Sequence, residues 1–122
     1  MNSKKILVCD DDQGILDMLE LILEEEGYQV VLEPKSVNAY KKIESECPDL
    51  ILLDIWMPVI SGDQILRNLK ADPNKSSIPV LMYSASTEGK TISQAAGADG
   101  FLAKPFDIDQ LLEAIFKLIN KT

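Results

Sequence analysis

A doubly wound α/β domain, in which a parallel sheet is covered on both faces by helices, is the fold this sequence predicts. Three observations predict it: five short apolar runs recur along the chain, amphipathic stretches with helical spacing separate them, and the runs are continuous rather than alternating. A strand that is apolar at every position is buried on both faces, as in a parallel sheet between helical layers. Right-handed crossovers then distribute the helices over both faces. A chain of 122 residues is long enough for one core and short for two, so residues 1–122 are read as a single domain.

The first strand is Ile6-Leu7-Val8-Cys9. After it, Ile15, Leu16, Leu19, Ile22 and Leu23 share one helical face, Asp17, Glu20, Glu24 and Glu25 lie off it, and Gly27 ends the helix. Val30-Val31-Leu32 is the second strand, and Ser36 is expected to cap a helix running to Glu46. Leu50-Ile51-Leu52-Leu53 is the third, with Ser61 and Gln64 marking the start of a helix that runs to Lys70. Val80-Leu81-Met82-Tyr83 is the fourth. The helix after it, between Ser86 and Ala96, is the weakest, because Gly89, Thr87 and Thr91 all lower helix propensity. Phe101-Leu102-Ala103 is the fifth strand. Asp107 and Gln110 then form a capping-box pattern before the stripe Ile108, Leu111, Leu112, Ile115 and Ile119 of a last helix ending near Asn120. Phe116 and Leu118 fall partly off that stripe and are expected to be buried against neighbouring loops.

Composition excludes several activities. The chain has no histidine, so it has no imidazole-based triad, no His-ligated zinc and no phosphohistidine of its own. Twenty acidic residues against 12 basic ones give a net charge of -8, which argues against direct binding of a phosphate backbone. No apolar run approaches the ~18 residues of a membrane span, and the segment beginning Met1-Asn2-Ser3 lacks a signal-peptide cleavage pattern, so a cytoplasmic protein is expected. Cys9 and Cys47 lack metal or redox spacing and are read as reduced, structural thiols.

In doubly wound sheets ligands bind beyond the carboxyl ends of the strands, where strand order reverses. Asp10, Asp11 and Asp12 follow strand one, Asp54 follows strand three, Ser84 strand four, and Lys104 and Pro105 strand five. A lone aspartate after a strand is usually a turn former or cap, but four strands delivering polar groups to one edge is a different matter. Carboxylates crowded in a partly desolvated crevice either hold their protons or are neutralised by a cation, and a hard divalent ion such as Mg²⁺ suits oxygen ligands. With Lys104 and the Ser84 hydroxyl alongside, such a site can stabilise a transferring phosphoryl group, and a carboxylate is a competent acceptor.

The segments Ile6-Leu7-Val8-Cys9-Asp10-Asp11-Asp12, Leu50 to Pro58 with Gly62, Met82-Tyr83-Ser84-Ala85 and Gly97 to Phe106 resemble the response-regulator receiver domain of bacterial two-component and phosphorelay signalling, over nearly the whole chain. The resemblance implies a five-stranded flavodoxin-like sheet in the order 2-1-3-4-5. It implies that Asp54 accepts a phosphoryl group from a sensor histidine kinase or a histidine phosphotransfer protein. It also implies Mg²⁺ bound by Asp11, Asp54, the backbone carbonyl of Trp56 and, largely through water, Asp10. Ser84 and Lys104 would contact the phosphoryl group, with Ser84 and Phe101 acting as the switch. The output would be a changed face of helix four, strand five and helix five, used for a downstream protein or a phosphorylation-dependent homodimer, and the chain would turn over no separate substrate. Lys104-Pro105 would be cis.

Two departures stand out: Trp56 is bulky beside the acceptor, and the segment from Ser84 to Lys104 is shorter than is usual in the family, which bears on the output face more than on the chemistry. Asp12 is open between a helix cap and a site role. Two other readings compete. One is a receiver-like interaction module that takes no phosphate, whose signature would be a missing acceptor, acidic pair or lysine. The other is a haloacid-dehalogenase-type phosphatase, suggested by Asp10-x-Asp12 but weakened by Gln13-Gly14 after it and by little room for a cap.

Overall fold

In the computed structural model, which describes residues 3–120, alternate residues of each strand point into two separate apolar layers. The strands are β1 (Lys5–Cys9), β2 (Gln29–Glu33), β3 (Leu50–Asp54), β4 (Val80–Ser84) and β5 (Gly100–Ala103), and the helices are α1 (Gln13–Glu25), α2 (Ala39–Glu46), α3 (Gly62–Ala71), α4 (Gly89–Ala96) and α5 (Ile108–Ile119). All strand pairs are parallel, and the sheet order is β2-β1-β3-β4-β5. Residues 1, 2, 121 and 122 of the expected domain lie outside the described residues.

One layer joins Leu7, Ile51, Leu53 and Met82 of the strands to α2, α3 and α4. The other joins Ile6, Val8, Leu52 and Tyr83 to Leu16, Leu19 and Leu23 of α1 and to Leu111 and Ile115 of α5. β3 and β4 are buried at every position, while the edge strands β2 and β5 are only partly covered. This explains the continuous apolar runs: a central parallel strand has no wet face. The chain leaves β1 toward α1 and leaves β3 toward the opposite layer, so a crevice opens between the carboxyl ends of β1 and β3.

Local details differ from the sequence reading at three places. Ser36 does not cap α2. It opens a short 3₁₀ turn (Ser36–Asn38), and its hydroxyl donates to Pro58 O at 2.6 Å and accepts from Ile60 N at 3.2 Å, because the loop after β3 presents both groups directly opposite it. Ser61 occupies the N-cap of α3 but its side chain makes no cap hydrogen bond, and Gln64 bonds Asn68, one turn on, instead of returning to the cap. On α5, Leu118 is partly buried as expected, but Phe116, off the Leu111–Ile115 face by which the helix packs, is 61% exposed, and Ile108, the first residue of the helix, is 52% exposed. The Asp107–Gln110 capping box is formed, and the Lys104–Pro105 peptide is cis.

Candidate functional site

Three carboxylates meet at the crevice between β1 and β3. Asp10 and Asp11 end the β1 side, Asp54 is the last residue of β3, and each offers an oxygen within 4.8 Å of the others. Asp10 is fully buried and Asp54 is 6% exposed, whereas Asp11 faces solvent. At about 4.8 Å and an effective dielectric near 20, each ionised pair repels by roughly 3 kcal/mol. Burial, and then the neighbouring Asp10 charge, push the Asp54 carboxyl up to about 6, with Lys104 acting in the opposite direction.

The main chain holds this arrangement. Ile55 N bonds Tyr83 O, Gly62 N donates to Ile55 O at 2.7 Å, and a Cβ on Gly62 would sit 2.0 Å from Asp54 O, so only glycine lets α3 start this close to β3. The loop between carries Val59 at φ 72, with Ile60 N bonded to Pro58 O: a strained γ-turn for a β-branched residue, pinned by Ser36. Met57 anchors the same loop by accepting from the Cys9 thiol at 3.7 Å. Cys9 itself is pushed up to about 12 by burial and the surrounding carboxylates, which keeps it an inert thiol, and Cys47 is free and exposed.

From β5, Lys104 reaches back over the crevice. Its Nζ lies 3.7 Å from Asp10 Oδ2 and 3.7 Å from Asp54 Oδ1, and its backbone N donates to Ser84 O at 2.9 Å. Ser84 is fully buried at the end of β4, and its Oγ accepts from Ser86 N at 3.0 Å. Phe101 lies partly buried on the α4 side. A Cβ on Gly89 would meet both Ser84 Cβ at 2.7 Å and the Phe101 ring at 3.0 Å, so hydroxyl and ring are neighbours across the first residue of α4. Trp56 is 52% exposed two residues past Asp54.

Asp12 is turned away from the cluster. Its Oδ1 accepts from Gly14 N at 2.9 Å and Ile15 N at 3.3 Å, capping α1, which removes the second carboxylate that the dehalogenase-type reading needs. Asp10, Asp11, Asp54 and Lys104 are brought together, and Ser84 joins them through the backbone of Lys104. The sequence reading missed Tyr83, whose hydroxyl donates to Asp10 Oδ2 at 2.8 Å. A tyrosine inside an aliphatic strand was the available signal, since a buried phenol requires a hydrogen-bond partner.

The oxygen donor set, crowded and partly buried, fits a hard divalent cation such as Mg²⁺. A parallel five-stranded sheet with an acidic trio, a lysine and a buried hydroxyl at its switch point defines a protein of the phosphoryl-signalling class. The family model for the response regulator receiver domain matches residues 6–116, and the chain belongs to that family. It is 36% identical, over 94% of its length and 49% of the relative's, to the alkaline phosphatase synthesis transcriptional regulatory protein PhoP of Bacillus subtilis. Among solved structures it is similar to a putative response regulator from Chloroflexus aurantiacus, with a TM-score of 0.94 at 28% identity over 98% of this chain and 100% of that one. It is also similar to a CheY-like response regulator receiver domain protein from Methanospirillum hungatei, with a TM-score of 0.90 at 34% identity over 98% of this chain and 96% of that one. The chain spans about half the length of the curated relatives it matches.

Proposed function

We propose that residues 1–122 form a single phospho-receiver domain in which Asp54 accepts a phosphoryl group from a phosphohistidine on a sensor kinase or phosphotransfer protein. The observation that carries this reading is the placement of Lys104 between two carboxylates, Asp10 and Asp54, at the carboxyl ends of the central strands. An Asp54 oxygen attacks phosphorus, the phosphorus–nitrogen bond breaks, and its electron pair returns to the donor imidazole. Asp10, Asp11, Asp54 and the Trp56 carbonyl would hold Mg²⁺, which would supply positive charge against the phosphoryl oxygens. Lys104 pairs with one of those oxygens, and the Ser84 hydroxyl, released from Ser86 N, donates to another. Since Ser84 and the Phe101 ring share contact with Gly89, a moved hydroxyl repacks the ring and with it the face of α4, β5 and α5.

On that face an open groove of about 590 Å³, lined by Phe101, Leu102, Ala103, Gln110, Glu113 and Lys117, is the proposed seat of a downstream protein or a second phosphorylated copy. The absent histidine makes the phosphodonor a separate protein or domain, and a cytoplasmic location belongs to the same reading. No helix among the described residues is long and apolar enough to cross a membrane.

Incubation with Mg²⁺ and a small phosphodonor, followed by intact-mass measurement, tests the proposal. One added phosphoryl group on the wild type and none on Asp54→Ala is the expected result. No addition to the wild type, or an equal addition to the variant, overturns it.

A further inference from the structure

Tyr83 makes three contacts that converge on the site. Its hydroxyl donates to Asp10 Oδ2 at 2.8 Å, the Lys104 ammonium sits over its ring at 4.9 Å from the centroid, and Phe106 meets the ring edge-on with centroids 5.9 Å apart. The residue is fully buried on the α1–α5 side of the sheet, so its ring has no freedom to leave. Asp10 has both carboxylate oxygens engaged, Oδ1 by Asp12 N at 2.9 Å and Oδ2 by the phenol. A carboxylate bound at both oxygens keeps one rotamer, and an ammonium over an aromatic face is held there by the ring quadrupole.

The same residue therefore fixes both flanks of the acceptor.

We infer that Tyr83 is a positioning residue for this site: its hydroxyl orients Asp10 toward the cation, and its ring seats Lys104 between Asp10 and Asp54. The inference rests on the phospho-receiver reading for its consequence in phosphorylation, while its geometric content stands apart from it. The two functions separate in two variants. Tyr83→Phe keeps the ring and removes the hydroxyl. Tyr83→Leu removes both and keeps a buried apolar side chain.

Three readouts on the full chain test this. Mg²⁺ titration followed by Trp56 fluorescence is expected to show affinity weakened roughly tenfold in Tyr83→Phe, the size typical of losing a partner that orients a ligand. The rate of phosphorylation by a small phosphodonor at saturating Mg²⁺ is expected to fall about tenfold or more in Tyr83→Leu, where Lys104 loses its seat, and to fall much less in Tyr83→Phe, which keeps the ring. In the metal-free protein, the Lys104 side-chain protons are expected to show an upfield ring-current shift by NMR that survives in Tyr83→Phe and disappears in Tyr83→Leu. A purely structural role would lower the melting temperature of the variants while leaving metal affinity and saturating rate at wild-type values, and that result overturns the inference. So does a Lys104 proton shift that is insensitive to Tyr83→Leu. A wild type that takes no phosphoryl group defeats the phospho-receiver reading, and the ring-current experiment then still decides whether Tyr83 seats Lys104.

Discussion

Two clusters in this molecule use the same three residue types and come to opposite ends. At the strand ends, Tyr83 bonds Asp10 and Lys104 lies over its ring at 4.9 Å; between α2 and the loop after α3, Tyr40 bonds Asp72 and Lys75 lies over its ring at 5.0 Å. In the second cluster the circuit is closed: Lys75 Nζ reaches Asp72 at 2.9 Å and Glu44 at 3.3 Å, and the Tyr40 hydroxyl, the Lys75 ammonium and the Asn74 amide hold the Asp72 carboxyl down to about 2. In the first it is open. Lys104 stands back at 3.7 Å from two carboxylates, a third is close by, and Asp54 is pushed up to about 6. The contrast shows that the chemistry lies in the count and spacing of charges rather than in the residue types. A satisfied trio staples two elements, whereas an unsatisfied one leaves negative charge for a cation and a place for an electrophile.

The largest expected effect comes from breaking the main chain under the open cluster. Gly62→Ala puts a methyl 2.0 Å from Asp54 O, a clash with backbone that no side-chain rotation relieves. Overpacking of this kind costs about 3 kcal/mol or more, so the urea midpoint should fall clearly, with loss of phosphorylation. A midpoint within error of wild type would mean that the α3 start is not fixed as described.

Next comes the closed cluster. Asp72 has its carboxyl lowered, so its stabilisation is complete above the unfolded value of 3.8 and is lost as pH falls through about 2. Asp72→Asn should lower the melting temperature at neutral pH, and the gap to wild type should close as pH falls toward 2. A constant gap across that range would contradict the pairing.

Asp54 behaves with the reverse sign. Its folded carboxyl binds the proton more tightly than the unfolded one, so its contribution is complete below 3.8 and is lost as pH rises through about 6. Without divalent cations, Asp54→Asn should therefore melt above wild type at pH 7 and approach it as pH falls through that window. An Asn variant less stable than wild type at pH 7 would show that the open cluster is not strained by charge.

The smallest effect is expected at Gly89→Ala. The added methyl meets the Phe101 ring at 3.0 Å, which can turn aside, and Ser84 Cβ at 2.7 Å, which is fixed to buried β4, so the start of α4 must shift, and that strain offsets the up to about 1 kcal/mol that replacing a helical glycine recovers. Stability should change little, but the Phe101 ring should move, visible as altered aromatic NMR shifts. Unchanged Phe101 shifts would remove the proposed link between Ser84 and the ring.

Much of the open cluster was legible from sequence, because each of its members ends an apolar run: Asp10 and Asp11 after Cys9, Asp54 after Leu53, Ser84 after Tyr83 and Lys104 after Ala103. A strand's end is a local signal, and the parallel fold collects such ends at one edge. The closed cluster was invisible as a cluster: Asp72 and Lys75 are three residues apart in one loop, but Tyr40 lies 32 residues before Asp72 on α2, with nothing in its spacing to join it to them. Tyr83 was hidden for another reason: within a continuous apolar strand a tyrosine reads as core, and only the strand pairing that sets Tyr83 beside Asp54 brings its hydroxyl to Asp10. Ser36 read as a helix cap because serine before a helix usually is one, and a long-range contact with Pro58 overrode that preference. Phe116 was expected inside, yet burial on α5 depends on what packs against it, which a helical stripe does not state.

Thermal unfolding across a Mg²⁺ titration tests the central claim, that the strand-end cluster is held open for a cation and a phosphoryl group. Binding to the folded state alone raises stability with the logarithm of ligand concentration. The melting temperature is expected to climb with Mg²⁺ in the wild type, to climb equally from a lower start in Asp72→Asn, and to climb much less in Asp54→Asn. A wild-type melting temperature indifferent to Mg²⁺, or a rise just as large in Asp54→Asn, would contradict it.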